Sequence, residues 1–194
     1  MARPRTTSDE AVLAAAARAL GRVGPVRLTL GAVAEEAGLA PATLVQRFGS
    51  KRGLLLALAG RGARDARLPF ERARHEGGPP LVVLHAALAS MTAGVRGAEE
   101  MANNLGFLQL DVTDPEFRAH AASHARAVEE EVAALLREAV AAGELGAGAD
   151  AARLARSVQV AYNGALILWA VRAEGDLVDA LRADVEAVLA PHRA

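Results

Sequence analysis

Apolar positions recur along this chain at three- and four-residue spacing, the period of amphipathic helices. The pattern is clearest over residues 29–48, TLGAVAEEAGLAPATLVQRF. Thr29 suits an N-cap, because its hydroxyl can accept a backbone N–H that the first turn leaves unbonded. Leu30, Val33, Ala34 and Ala37 then form one apolar face. Gly38 stands where a left-handed C-cap is expected, and Leu39 plugs the corner. Pro41 suits the first turn of a second helix, where its missing N–H costs nothing. In that helix Leu44 and Phe48 point inward, and Pro41, Ala42, Thr43, Val45, Gln46 and Arg47 are left outward. Two short helices joined in this way are a helix-turn-helix, whose second helix lies in the DNA major groove.

The flanking pattern is helical too. Thr7 and Glu10 have the spacing of a capping box. A helix follows to about Gly21, with Leu13, Ala16, Ala17 and Leu20 inward, and Gly24-Pro25 makes a loop. Beyond Phe48, Gly49 breaks the recognition helix. Ser50 caps a fourth helix, which runs through Leu54, Leu55 and Leu58 towards Ala66. Pro69 is a first break, and Gly77-Gly78-Pro79-Pro80 a stronger one. Helices are then predicted over 81–95, 99–110, 115–142, 150–175 and 177–190, about nine in all. The division is 1–67, a helix-turn-helix domain with its linking fourth helix, and 68–194, a larger helical domain.

Composition supports an all-α fold. Alanine is abundant, aromatics are only 3% of residues, and sustained strand alternation is absent. The chain has no cysteine, which excludes disulfides and thiolate metal sites. No signal peptide and no run of the ~20 apolar residues needed to span a bilayer is found, so a cytoplasmic location is expected. The net charge of −1 conceals an asymmetry. Residues 1–67 hold eleven basic and five acidic residues; residues 68–194 hold eleven and eighteen. A basic head on an acidic body draws one end of the molecule towards polyanions.

Direct readout assigns roles on the outward face. Gln46 and Thr43 offer donors and acceptors to base edges, since Gln pairs bidentately with adenine. Arg47, Lys51 and Arg52 are suited to phosphates, which fix register without reading sequence. Pro41 and Ala42 leave backbone N–H groups open near a phosphate, and Thr29 is grouped with this face. The terminal arm carries Arg3 and Arg5, which suit a neighbouring minor groove.

Residues Val12 to Leu20, Gly24, Thr29, Val33-Ala34, Ala37-Gly38-Leu39, Thr43-Leu44, Phe48-Gly49-Ser50-Lys51 and Leu54-Leu55 form an ordered set. Over about residues 8–58 this set resembles the N-terminal domain of TetR-family transcriptional regulators. The resemblance implies a phosphate-contacting role for Lys51. It departs from the family pattern at Val45, where an aromatic residue is usual, and at Ala42, where glycine is usual. Arg47 occupies the basic or His position before Phe48. Losing the aromatic removes a phosphate contact and leaves an apolar side chain suited to a thymine methyl.

For the remainder, the resemblance implies a C-terminal ligand-binding and dimerisation domain. Met91, Leu105, Phe107, Leu108, Gln109, His124, Tyr162, Asn163, Leu166 and Trp169 combine apolar walls with polar handles, as small-molecule sites do. Asn163 draws notice because an amide on an apolar helix needs a partner, and Gly164 beside it permits close helix approach. The last two helices resemble the family's dimer-forming pair. Two related heads read a palindrome with half-sites about 34 Å apart, or a multiple of that.

Enzymatic signals are thin. Glu116, His120 and His124 lie four apart, but the inner Glu of a metalloprotease helix is missing. Asp111 and Asp114 are a carboxylate pair, of which Asp114 is better explained as a helix cap before Pro115. No nucleophile elbow, Walker loop or dinucleotide fingerprint occurs. No catalytic residue, metal site or cofactor is therefore expected. The expected function is a dimeric transcriptional repressor that binds a palindromic double-stranded DNA operator and is released by a small-molecule effector. A regulator without a ligand, whose C-terminal half only dimerises, is the first alternative. A helical enzyme or metal-binding protein with a basic patch is the second.

Overall fold

A computed structural model describes residues 7–194, and every described element is helical apart from one isolated bridge between Leu145 and Arg193. Eleven α-helices are described: α1 Asp9–Arg27, α2 Leu30–Ala37, α3 Pro41–Phe48, α4 Lys51–Asp65, α5 Leu68–Glu76, α6 Pro80–Ser90, α7 Ala98–Leu105, α8 Leu108–Thr113, α9 Pro115–Ala141, α10 Ala151–Arg172 and α11 Leu177–Leu189. The all-α expectation is met. Two helices arise where the sequence pattern suggested none or one. Pro69 opens α5 instead of ending structure, because proline is tolerated in a first helical turn. The stretch read as one helix over 99–110 divides at Gly106-Phe107 into α7 and α8.

The chain forms two compact units that do not follow chain order. The first comprises Met1–Ala63 with Glu99–Ala121, and the second Arg64–Ala98 with Ala122–Ala194. The core of the first gathers Val12, Leu13, Ala16, Ala19 and Leu20 of α1, Leu28, Val33 and Ala34, Leu44 of α3, Leu54 and Leu55 of α4, and Phe117 of α9. Ala17, read as inward, is exposed, and Val12 and Ala15 take the buried positions. The N-cap of α1 is Ser8 rather than Thr7, with the Ser8 hydroxyl accepting from the Ala11 N–H at 3.2 Å.

Glycines set the path of α1. Gly24 adopts φ +73° and interrupts the helix, after which Pro25 opens one further turn. A side chain at Gly24 would come within 2.9 Å of Asn103 Oδ1, and one at Gly21 within 2.8 Å of Glu100 Oε1. The end of α1 therefore lies directly on α7. Asn103 fixes this contact by donating from Nδ2 to the carbonyls of Gly21 (2.9 Å) and Arg22 (3.1 Å).

In the second unit α10 and α11 pack on each other, α5 packs on α6, and α6 meets α11. Phe70, Leu84, Leu135, Leu136, Val158 and Leu189 are among its fully buried side chains. Arg74 bridges Glu131 (2.9 Å) and Glu138 (3.1 Å), and Arg67 bridges Glu130 and Glu131, tying the start and length of α5 to α9. The last residues pair back on the turn after α9, where Gly146 N–H donates to the His192 carbonyl at 2.8 Å.

Leu44 is the sole fully buried residue of α3. Leu44→Ala is expected to destabilise the protein by about 3 kcal/mol, the usual cost of a large-to-small change in a packed core. Urea denaturation of the variant against the parent checks this.

Candidate nucleic-acid interface

The helix-turn-helix forms as its residues require. The Thr29 hydroxyl accepts from the Ala32 N–H at 3.1 Å, which caps α2. Gly38 ends α2 in the left-handed region at φ +66°, and its N–H bonds to carbonyls of the last turn. Pro41 then opens α3. Leu44 anchors the helix, and Phe48 and Leu39 pack beside it. Pro41, Ala42, Val45 and Gln46 are exposed, Val45 at 50%, and Thr43 is half-buried. Val45 and Gln46 thus lie on the side of α3 opposite the Leu44 anchor with Thr43 half-buried beside them, whereas Arg47, also read as outward, is largely covered.

The cations around this face are not free. Arg47 is 20% exposed and donates to the Thr7 carbonyl at 2.6 Å and to Asp9 Oδ1 at 3.2 Å. It ties the recognition helix to the start of α1. Lys51, the only lysine, donates from Nζ to the Val26 carbonyl at 2.8 Å. Arg52 donates to Asp114 Oδ2 at 2.8 Å and Glu116 Oε2 at 2.6 Å. The Arg52 guanidinium, hydrogen-bonded to Asp114, holds that carboxyl below the usual carboxylate range. Behind the face, Glu36 of α2 accepts from Arg18 and Arg22 of α1, and these bonds likewise hold its carboxyl low. Arg3 and Arg5 lie outside the described residues.

Gly53 was not singled out from the sequence, yet it shapes the junction. A Cβ there would fall on the Phe48 carbonyl oxygen, so the first turn of α4 can close on the end of α3 only with glycine. Its signal in sequence is a glycine inside a helix start, where propensity alone disfavours it.

The family model described as "Bacterial regulatory proteins, tetR family" matches residues 12–58, and the one described as "Tetracyclin repressor-like, C-terminal domain" matches residues 107–185. The chain belongs to the TetR family. It is a DNA-binding transcriptional regulator with a helix-turn-helix. No curated protein sequence matches it. Solved TetR-family structures share its fold. A regulatory protein TetR from Rhodobacter sphaeroides superposes with a TM-score of 0.77 at 21% identity, covering 96% of this chain and all of that one. A TetR transcription regulator from Haloarcula marismortui gives 0.78 at 17% identity, over 96% and 98% of the two chains. The regulator FadR from Bacillus subtilis, in complex with stearoyl-CoA, gives 0.71 at 18% identity over 94% and 98%.

Of the residues assigned to a small-molecule site in this TetR-family chain, Leu105, Phe107, Leu108 and Gln109 belong to the first unit. Phe107 packs edge-to-face on Phe117, with ring centres 5.6 Å apart, and Leu108 and Gln109 are exposed. Met91, His124, Tyr162, Asn163, Leu166 and Trp169 belong to the second unit. Tyr162 is buried, and burial raises its phenol pKa. Burial also lowers the pKa of His124. Asn163 is exposed, so the need for a buried partner that drew attention to it does not arise. The Trp169 indole N–H donates to the Gly175 carbonyl at 3.1 Å.

A cleft of about 300 Å³ in the second unit is lined by Arg126, Glu129, Glu130, Ala133 and Ala152, none of them in that set. Among the described residues no three metal-ligating side chains converge, and Glu116, His120 and His124 form no such group. Among them, too, no helix is long and apolar enough to cross a membrane.

The histidine shift sets a pH dependence. Burial keeps the folded-state pKa of His124, and of His85, below the ordinary value near 6.5. The unfolded chain therefore binds protons first, and stability present above about pH 6.5 is lost as pH falls below it. The urea midpoint is expected to drop between about pH 7.5 and 5.5, and to drop less in His124→Gln.

Proposed function

We propose that this protein is a dimeric repressor that reads a palindromic operator with α3 and is released by a small apolar or amphipathic effector. The observation that carries the reading is the outward face of α3, with Gln46 and Val45 exposed and Thr43 half-buried around a buried Leu44. Gln46 and Thr43 are the base-reading residues. Val45 supplies an apolar contact to a thymine methyl. Lys51 and Arg52 serve phosphates, together with backbone N–H groups near Pro41 and Ala42. Thr29 caps α2 and belongs to the same contact surface. Arg47 acts by holding α3 against the start of α1, through Thr7 and Asp9. The working location is the cytoplasm, where the operator is.

Dimerisation is supported by an unpartnered stripe on α10. Val160 (64%), Ile167 (42%), Leu168 (49%) and Val171 (77%) are exposed at helical spacing. Gly164 lies among them with open space above it. An exposed apolar stripe of this kind, interrupted by Asn163, supports an interface there. A second copy covers it, and two-fold symmetry then sets the spacing of the recognition helices.

The effector reading is supported by Tyr162 and His124, polar groups held largely out of water on α10 and α9. The stearoyl-CoA bound to FadR of the same fold suggests the chemistry of a long apolar tail. Such a ligand acts by binding the DNA-incompetent state more tightly, with α4 as the element that moves. A regulator that only dimerises, without a ligand, would show no thermal shift with any small molecule in a screen.

Three measurements test the reading. Duplex affinity is expected to fall steeply between low and moderate salt, because the contacts are to phosphates; a flat response removes the DNA assignment. Gln46→Ala is expected to cost about 1–3 kcal/mol of discrimination at one base pair, whereas Lys51→Ala weakens all duplexes alike. Selection from random DNA with each variant distinguishes these roles. Leu168→Asp is expected to give a monomeric mass by light scattering and to lose operator binding; an intact dimer would place the interface elsewhere.

A further inference from the structure

Lys51 and Arg52 stand in the first turn of α4, separated from the recognition helix by Gly49 and Ser50, and no acidic residue accompanies them there. A helix N-terminus carries partial positive charge, so cations in the first turn oppose its dipole. Neither side chain therefore serves α4 by its position. Lys51 meets a neutral carbonyl, whereas Arg52 meets two carboxylates.

The Arg52 contact is built from three sides. Asp114 divides its oxygens: Oδ1 accepts from the Glu116 N–H at 2.9 Å at the start of α9, and Oδ2 takes Arg52 at 2.8 Å. Glu116 adds a second carboxylate at 2.6 Å. The guanidinium carbon lies 5.7 Å from the centre of the Phe117 ring, within cation–π range. A cleft of about 320 Å³ runs alongside, lined by Lys51, Arg52, Leu55, Leu110, Asp114 and Phe117. The triad carries one positive and two negative charges, so it repels a polyanion while it is closed. It is also half-exposed: Arg52 is 50% and Glu116 65% accessible. Exposed ion pairs contribute little to stability, so a competing anion can open this one.

We propose that Asp114 and Glu116 act as an internal competitor for DNA phosphate, holding Arg52 until a duplex takes it from them. The inference rests on the DNA-binding reading above. Operator binding then includes the breaking of this triad, and the acidic pair sets the affinity of the head without touching DNA. Asp114 and Glu116 are positioning residues in this sense. The same competition makes the head weakest on isolated phosphates and strongest where a duplex holds several in register.

The variant Asp114→Asn with Glu116→Gln removes both charges and keeps an asparagine able to cap α9. Glu116→Gln alone is a second variant, since among the described residues that side chain makes no bond to the backbone. Binding is measured in the full-length protein with a labelled mixed-sequence duplex of about 24 base pairs, over a range of salt. The double variant is expected to bind roughly three- to tenfold more tightly, with a salt slope steeper by about one phosphate contact. Glu116→Gln is expected to show a smaller change of the same sign.

Both substitutions are repeated in Arg52→Ala, where the gain is expected to vanish. A gain that persists without Arg52 reports only a weaker negative field and overturns the proposal. Unchanged affinity and slope, in variants whose melting matches the parent, also overturn it. If the parent protein binds no duplex at any salt, the DNA-binding reading itself falls, and this inference falls with it.

Discussion

An isolated eight-residue helix does not persist in water, because nucleating its first turn costs more than its few hydrogen bonds return. The recognition helix of this protein exists because Leu44 is buried and holds it against α1, α2 and α4. Everything else in the head follows from that anchor. The left-handed turn at Gly38 aims α3, Pro41 starts it without wasting a donor, and Gly53 lets α4 close behind it. With one side committed to the core, the opposite side is free to carry chemistry instead of packing.

The charge distribution adds a second layer. The basic excess of the first 67 residues would suggest a face of free cations. Instead, Arg47, Lys51 and Arg52 each donate to an acceptor within the first compact unit, which for Arg52 lies beyond residue 67. These contacts keep long side chains ordered and add little stability, since exposed pairs are screened by solvent. What they change is the work needed to transfer each cation to another anion. Arg47 differs from the others by being largely covered, so its bonds to Thr7 and Asp9 fix geometry more than they store charge.

Local signals were legible in the sequence, and non-local ones were not. The Thr29 cap, the Gly38 turn, the Pro41 start and the inward Leu44 all depend on neighbours within a few positions, and each stands where its residue type places it. The cap of α1 moved by one residue to Ser8, within the range over which two adjacent hydroxyls compete for the same N–H groups. By contrast, the docking of α7 on Gly21 and Gly24 joins residues about eighty positions apart and leaves no local periodicity. Nor did Asp114 look like more than a cap, because one of its oxygens does that work and the other reaches α4. The candidate small-molecule residues are a harder case. They were grouped by residue type along the chain, whereas the fold distributes them over two compact units, with Asn163 at the surface.

The sparse aromatic content has a practical consequence at one point. Trp169 is the chain's single tryptophan, half-buried near the end of α10, with its indole held by the Gly175 carbonyl before α11 begins. It is flanked by Leu168 and Val171, both of which face solvent in the single chain. Excited at the red edge of indole absorption, where Tyr162 contributes little, intrinsic emission from this protein therefore reports one place, the turn joining α10 to α11, without a label. Its wavelength will follow the polarity of that turn, which makes the indole a native optical gauge of what settles on the exposed side of α10.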